Sequence, residues 1–150
     1  MRDATPVHFG PDYRYVPGQS VVLREGKDIT IVGTGVQSIR SLDAADLLAS
    51  EGISAEVVHV PTLKPLDPSG IVHSADKTGL VVTTEEHTVI GGLGSAVAEL
   101  LGEHRPTPLR RHGLMDVYGE SGSNDALLEK YGMTARHIAA AARELLRSHR

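Results

Sequence analysis

The sequence predicts an α/β fold: a three-layer α/β/α sandwich around a mainly parallel five-stranded sheet that carries one antiparallel strand. Three observations point to it. Short runs rich in Val, Ile and Leu alternate with stretches whose apolar residues recur at helical spacing. The run at 80–84, Leu-Val-Val-Thr-Thr, holds no charge at any position, the pattern of a strand buried on both faces of a parallel sheet. The links between runs are short and hold glycine or proline.

The first twenty residues read as an arm. They hold Pro6, Pro11 and Pro17, Gly10 and Gly18, and three of the five aromatic residues: Phe9, Tyr13 and Tyr15. Proline at this density excludes a helix and disfavours a central strand. Residues 1–20 are expected to be either an arm packed on its own domain or a linker arriving from a preceding domain. Residues 21–150 are then the folded unit. Residues 21–23 form a first strand, 24–28 a polar turn and 29–32 a second strand. A connection this short predicts an antiparallel hairpin. Gly33-Thr34-Gly35 ends the second strand and opens a helix over about 38–50. In it Ile39, Leu42, Ala45, Leu47, Leu48 and Ala49 make a wide stripe, and Gly52 stops it.

Residues 55–60 are a third strand and 61–68 a stiff loop with Pro61, Pro65 and Pro68. A short helix follows over 69–76. After the buried strand at 80–84 come Glu85-Glu86-His87-Thr88, the turn Gly91-Gly92-Leu93-Gly94-Ser95 and a helix to about Leu101. Residues 108–111 are a last strand and 114–122 a loop. A short helix over 123–130 is capped by Ser123 or Asn124. Thr134 caps the final helix, which buries Ile138, Ala141, Ala142, Leu145 and Leu146; residues 147–150 are expected to fray.

Composition narrows the function. The chain has 150 residues, enough for one domain with one core. It has no cysteine, which excludes disulfides, thiolate metal sites and a Cys nucleophile, and fits a cytoplasmic setting. The net charge is -4 with no long run of one sign, against the clustered basic face that nucleic acid needs. The apolar runs fall far short of the roughly 20 residues that span a bilayer, and Met1 to Pro6 shows no signal-peptide core.

Several motifs suggest chemistry and then fail a specific test. Gly33-Thr34-Gly35 sits where a dinucleotide fingerprint would, but Ser38 stands in place of the third glycine and the next strand ends without an acidic residue. Gly119-Glu120-Ser121-Gly122-Ser123 resembles a nucleophile elbow, but Ser123 stands where glycine is required and no buried strand precedes it. The eight histidines show neither H-x-H nor H-x-x-x-H spacing, so no metal site is expected. No catalytic residue is assigned.

The most informative segment runs from 83 to 101. A buried strand ends in Glu85-Glu86-His87, and a glycine-rich turn feeds a helix N-terminus. Ligands in open α/β sheets bind at the carboxyl ends of strands, and helix N-termini attract anions. Adjacent Glu85 and Glu86 work against a phosphate there. The alternative is close packing, with glycine and Ser95 letting the helix lie against the sheet.

Thr-x-Glu-Glu-His-x-x-x-Gly-Gly-Leu-Gly-Ser-Ala-Val-Ala-Glu, read from Thr83 to Glu99, resembles the third, C-terminal domain of the transketolase family. That family includes deoxyxylulose-phosphate synthase and the β subunit of 2-oxoacid dehydrogenase E1. The segments 18–28, Ile31-Val32-Gly33-Thr34-Gly35, 60–67, 113–122 and 127–138 are similar to family segments in the same order. The loop with Asp116, Tyr118, Gly119, Glu120 and Ser121 resembles small transketolases more than E1 β.

The resemblance implies an assembly domain that strengthens an oligomer. Thiamine diphosphate and Mg would be held by two further domains, and none of either by this chain. Met1 to Pro6 resembles sequence leaving the second of those domains, so the chain is expected to be a fragment or split piece, inactive alone. The full assembly would transfer a two-carbon ketol unit between sugar phosphates. Its expected partners are thiamine-diphosphate-binding domains or a subunit carrying them, in a homo- or hetero-oligomer such as a dimer, with no nucleic acid or membrane. Glu86, His87, Gly91, Gly92, Gly94 and Ser95 are the interface or substrate-channel candidates. A module of another class, binding a small anion near His87 and Gly94 or acting as a regulatory domain, is the alternative.

Overall fold

The computed structural model describes residues 9–149. Its strands are β1 (Val21–Arg24), β2 (Ile29–Gly33), β3 (Ala55–His59), β4 (Val81–Thr88) and β5 (Leu109–Leu114). Its helices are α1 (Gln37–Ala49), α2 (Pro68–Thr78), α3 (Leu93–His104), α4 (Asn124–Lys130) and α5 (Ala135–Ser148). The sheet order is β1-β3-β2-β4-β5. All neighbours are parallel except β1, which runs antiparallel to β3. This is the expected mainly parallel sheet with one antiparallel strand.

Strand alternation divides the core into two layers. Ile29 and Ile31 of β2, Val57 of β3 and Val82 of β4 face α1 and α5, where they meet Ala44, Leu48, Ile138 and Ala142. Val32, Val58 and Val81 face α2 and α3, where they meet Ile71, Ala75, Val97 and Leu101. The central strands are buried on both faces, as a doubly covered parallel sheet requires. Local signals set the helix ends. Asp67 caps α2 by accepting from Gly70 N at 3.0 Å, Pro68 fills the first turn, and Gly79 closes the helix with φ 72°. Ser123 caps α4, its hydroxyl accepting from Ala126 N. Thr134 occupies the cap position of α5, but its hydroxyl pairs with His137 Nδ1 at 2.8 Å.

The expected β1–β2 hairpin is corrected: β3 lies between the two strands. The four-residue link crosses the start of β3, and Gly26 lies so close to it that a β-carbon would overlap the Ala55–Glu56 backbone. Ser54 pins the crossing: its carbonyl accepts from Lys27 N and Asp28 N, and its N–H donates to Asp28 Oδ2 at 2.7 Å. The Lys77 ammonium pairs with Glu25 on the link and with the fully buried carboxylate of Glu56 beneath it. A short link reads as a hairpin only when nothing fits between its strands; here glycine removes the obstacle. Several bounds also differ: β5 extends to Leu114, α2 to Thr78 and α3 to His104. β4 continues through Glu85, Glu86 and His87 to Thr88, and α5 holds its last turn to Ser148.

Within the arm, Phe9 stacks on Tyr13 at 3.9 Å and lies 5.4 Å from the His59 ring. Gly18 N donates to Thr62 Oγ1, and both the N–H and hydroxyl of Ser20 donate to Asp67 Oδ2. These bonds tie residues 18–20 to the loop after β3. The likeness of Met1 to Pro6 to a linker lies outside the described residues.

Candidate functional site

β2 leads through α1 to β3 on one side, while β4 leads through α3 to β5 on the other. The crevice between the carboxyl ends of β2 and β4 is therefore the topological switch point, where open α/β sheets place their ligands and contacts. A cleft of about 280 Å³ lies there, lined by Thr34, Gly35 and Val36 after β2, Leu63 after β3, Glu85, Glu86 and His87 of β4, and Gly91 and Gly92. Four of the six sequence candidates, Glu86, His87, Gly91 and Gly92, line it. Gly94 and Ser95 sit behind, in the first turn of α3.

The neighbouring carboxylates do different work because strand alternation sends them to opposite faces. Glu85 points into the α3 face and is buried. Its Oε2 accepts from Leu93 N at 2.7 Å and its Oε1 from Gly94 N at 2.8 Å. It is the internal anion of the helix N-terminus, compensated by two charge-assisted bonds and the helix dipole. An incoming anion would have to displace it, which weighs against an anion site at Gly94. Glu86, on the other face, pairs with Arg40 of α1. His87 is exposed; its Nδ1 donates to the Thr88 carbonyl at 2.9 Å.

Each glycine of the turn has a steric reason. Gly91 has φ 73°, and its N–H donates to Ser95 Oγ at 3.0 Å. A β-carbon at Gly92 would overlap the Glu85 carboxylate, and one at Gly94 would lie 2.8 Å from Thr83 Oγ1. The Ser95 hydroxyl donates to the Val89 carbonyl at 3.1 Å, which also accepts from Arg111 at 2.9 Å. Close packing is thus what the glycine turn serves. Gly33 is similar: a β-carbon there would lie 3.0 Å from the Ser38 backbone.

Glu85, met in the sequence only as a strand-end carboxylate unfavourable to phosphate, is the residue that fills the helix N-terminus, and Arg40 and Arg111 join the site beside it. The signal for Glu85 was present as a carboxylate on the inward phase of β4 ahead of a glycine-opened helix. Arg40 and Arg111 reach the turn only through the fold. Ser38, in the place of a third fingerprint glycine, instead bonds His59 Nδ1 at 2.7 Å; burial holds His59 below the ordinary imidazole range.

No three of His, Cys, Asp or Glu converge among the described residues, and Glu85 takes the first two N–H groups of α3. What the edge offers instead is apolar surface. Of the nine exposed large hydrophobic residues among those described, seven lie in segments at the carboxyl edge: Tyr15 and Val16 in the arm, Leu63 after β3, Ile90 after β4, and Met115, Val117 and Tyr118 after β5. β1 enters at the same edge, with Val21 opposite His59. Exposed large apolar residues concentrated in the segments at one edge make that edge a candidate interaction face.

Fold and site together define a doubly wound α/β domain with a packed, glycine-opened switch point and an apolar contact edge. Residues 18–138 match the family model "Transketolase, C-terminal domain". The chain belongs to that family. It is 53 % identical over 128 residues to the 6-deoxy-6-sulfo-D-fructose transketolase subunit SqwH of Clostridium sp. (strain MSTE9), covering 85 % of this chain and 40 % of that protein. It is 47 % identical over 131 residues to the 1-deoxy-D-xylulose-5-phosphate synthase of Heliobacterium modesticaldum, covering 85 % of this chain and 20 % of that enzyme.

A split-gene transketolase solved as an inactive β4 tetramer superposes with TM-score 0.93 at 53 % identity, over 97 % of this chain and 48 % of that one. The Leishmania mexicana transketolase shares the fold at TM-score 0.67 and 20 % identity, over 87 % of this chain and 18 % of that one. The chain therefore spans less than half the length of these relatives.

Proposed function

We propose that this chain is the assembly domain of a split, thiamine-diphosphate-dependent transketolase-like enzyme, and that its carboxyl edge seats the cofactor-binding domains. The observation that carries this reading is the clustering of exposed apolar side chains at one edge of the sheet, around a switch-point cleft that holds Glu86 and His87. Apolar area of this kind drives association once a partner covers it. Glu86 and His87 supply polar contacts at its centre, and Gly91, Gly92, Gly94 and Ser95 hold the turn that presents them. Thiamine diphosphate and its metal supply the carbanion chemistry of ketol transfer from the partner domains; this chain orders and seals the assembly. An oligomer of this chain with a cofactor-binding subunit fits the relatives described as transketolase subunits. No described helix is long and apolar enough to cross a membrane, and a cytoplasmic setting fits the cysteine-free chain.

The test is titration of the chain with a subunit carrying the cofactor-binding domains. Association and the appearance of ketol transfer are expected only when both are present. Ile90→Asp should weaken association about tenfold, the cost of placing a charge in an apolar contact. Tight binding of thiamine diphosphate and Mg²⁺ by this chain alone, measured by calorimetry, would overturn the reading.

A further inference from the structure

The sheet ends at β5, which among the described residues pairs only with β4. Val81 N donates to the Pro108 carbonyl at 3.1 Å, and the register sets Val81 opposite Leu109 and Thr83 opposite Arg111. In a parallel ladder of that phase, β4 bonds the backbone of Arg110 and His112, while Leu109 and Arg111 turn their N–H and C=O outward. Among the described residues, no hydrogen bond reaches those outward groups. The opposite edge is different. β1 has four residues and a bulge between Val22 and Arg24, a form that blunts pairing. β5 has six residues, an ordinary length for a paired strand.

The strand is fixed on its covered side. His112 Nε2 donates to the Gly132 carbonyl at 2.9 Å, and its Nδ1 lies 3.1 Å from the Thr84 hydroxyl. That hydroxyl lies 3.2 Å from Gln37 Oε1, and Gln37 Nε2 donates to the Met133 carbonyl at 3.3 Å. The ring ties β5 to β4, to the start of α1 and to the turn before α5. Beside the strand, a groove of about 270 Å³ reaches across to α5. Ala140 and Ala141 line its helical wall, and their methyl groups leave room for the side chains of an added strand. A preformed, unobstructed edge loses little entropy when a strand joins it.

Charge decides which strand fits. Residues 104–115 hold three arginines, two histidines and no carboxylate. Arg111 lies on the α3 side, where it bonds the Val89 carbonyl and the Ser95 hydroxyl. Arg110 lies on the α5 side and pairs with Glu144, which also lines the groove, at 3.2 Å. Both members of that pair are more than half exposed, so it is weak and open to exchange. A second copy of this chain is a poor occupant. Two-fold pairing about Arg110 or about Arg111 sets identical arginines directly opposite each other, which destabilises a sheet. An acidic strand meets the same arginines with opposite charge.

We propose that the outer edge of β5 is a strand-addition site for an extended, acidic segment of a partner protein. Leu109 and Arg111 supply the backbone hydrogen bonds, and Arg110 and Arg111 select carboxylates on the incoming strand. This face runs along the side of the sheet rather than across its carboxyl ends. The proposal therefore stands whether or not the carboxyl edge seats cofactor-binding domains.

The test uses the 150-residue chain and three synthetic peptides: an alternating glutamate–valine strand, its lysine–valine counterpart, and the glutamate–valine strand N-methylated at every residue. Amide exchange is read by NMR at pH 7. In the free chain, the Leu109 and Arg111 amides should exchange at least tenfold faster than those of Arg110 and His112. At saturation, the glutamate–valine peptide should slow Leu109 and Arg111 at least fivefold and leave Arg110 and His112 unchanged. The lysine peptide and the N-methylated peptide, which keeps the charges but has no N–H, should each bind at least tenfold more weakly. Arg110→Glu should weaken the glutamate peptide about tenfold. Equal binding of the lysine or N-methylated peptide, or no protection of Leu109 and Arg111, overturns the proposal. So does protection of those two amides that grows with the concentration of the chain alone, which would make the edge a contact between copies. The wild-type exchange pattern decides even if the variant fails to fold.

Discussion

Glu85 shows how one residue can be read for function and turn out to hold the structure that function needs. It occupies the α3 N-terminus that the glycine turn leaves open, and it ties the end of β4 to the first turn of α3. Glu85→Ala leaves two buried N–H groups without an acceptor, so a loss of about 3 kcal/mol in urea unfolding is expected. Glu85→Gln keeps one acceptor oxygen and should cost about half that. Asp67 is the second such residue. Burial raises its pKa, but bonds from the Ser20 hydroxyl, Gly70 N, Ser20 N and the Ser69 hydroxyl outweigh it and hold the carboxyl below its ordinary 3.8. A depressed carboxyl contributes stability that is present above 3.8 and lost as pH falls through its folded value. Asp67→Asn should therefore cost about 2 kcal/mol at pH 7. That difference should shrink below the ordinary carboxylate range, as urea midpoints at the two pH values would read.

At the scale of elements, the crossing of the β1–β2 link over β3 decides the sheet order. It depends on Gly26, since any side chain would collide with the Ala55–Glu56 backbone. Gly26→Ala should cost about 3 kcal/mol or more, because backbone cannot move aside as a side-chain tip can. Lys77 completes the crossing from α2. Lys77→Met strands the buried Glu56 carboxylate, for an expected loss of about 3 kcal/mol in urea unfolding. Adding Glu56→Gln to it should recover part of that loss, because the two residues share one interaction. The helix boundaries, by contrast, were legible one residue at a time. Gly52 and Ser123 act within a few residues of themselves, as do Asp67 with Pro68 and Gly79, whose capping roles the structure adds, and the helices start and stop within two or three residues of the expected places.

Across the whole molecule, the two helical layers close over the faces of the sheet and leave one edge uncovered in character. Buried apolar residues line both faces, while most exposed apolar residues gather at the carboxyl edge. No single segment shows this. Tyr15, Leu63, Ile90 and Tyr118 are far apart in the chain, and each by itself is an ordinary exposed hydrophobic residue. Parallel strands bring Leu63, Ile90 and Tyr118 to one edge, because every strand-to-helix loop of a parallel sheet emerges there, and antiparallel β1 brings the arm with Tyr15 to the same edge. Ile90→Asp should accordingly leave the urea midpoint of the isolated chain within about 0.5 kcal/mol of wild type. Its effect should appear only against a partner. A large loss of stability in the isolated chain would place Ile90 in the core instead.

The sequence by itself determined the fold class, the succession of elements, the family resemblance and the segment around Glu86 and His87. Those depend on periodicity, turn chemistry and capping, which act over a few residues and are written in the chain. Only the tertiary structure decided which strand β1 pairs with, that Glu85 and not an external anion fills the α3 N-terminus, and that Gln37, Thr84 and His112 close one ring. Those depend on contacts between residues 26 and 55, 85 and 94, 37 and 84, and 84 and 112. Such contacts form only once the sheet order has brought distant segments within reach of a hydrogen bond.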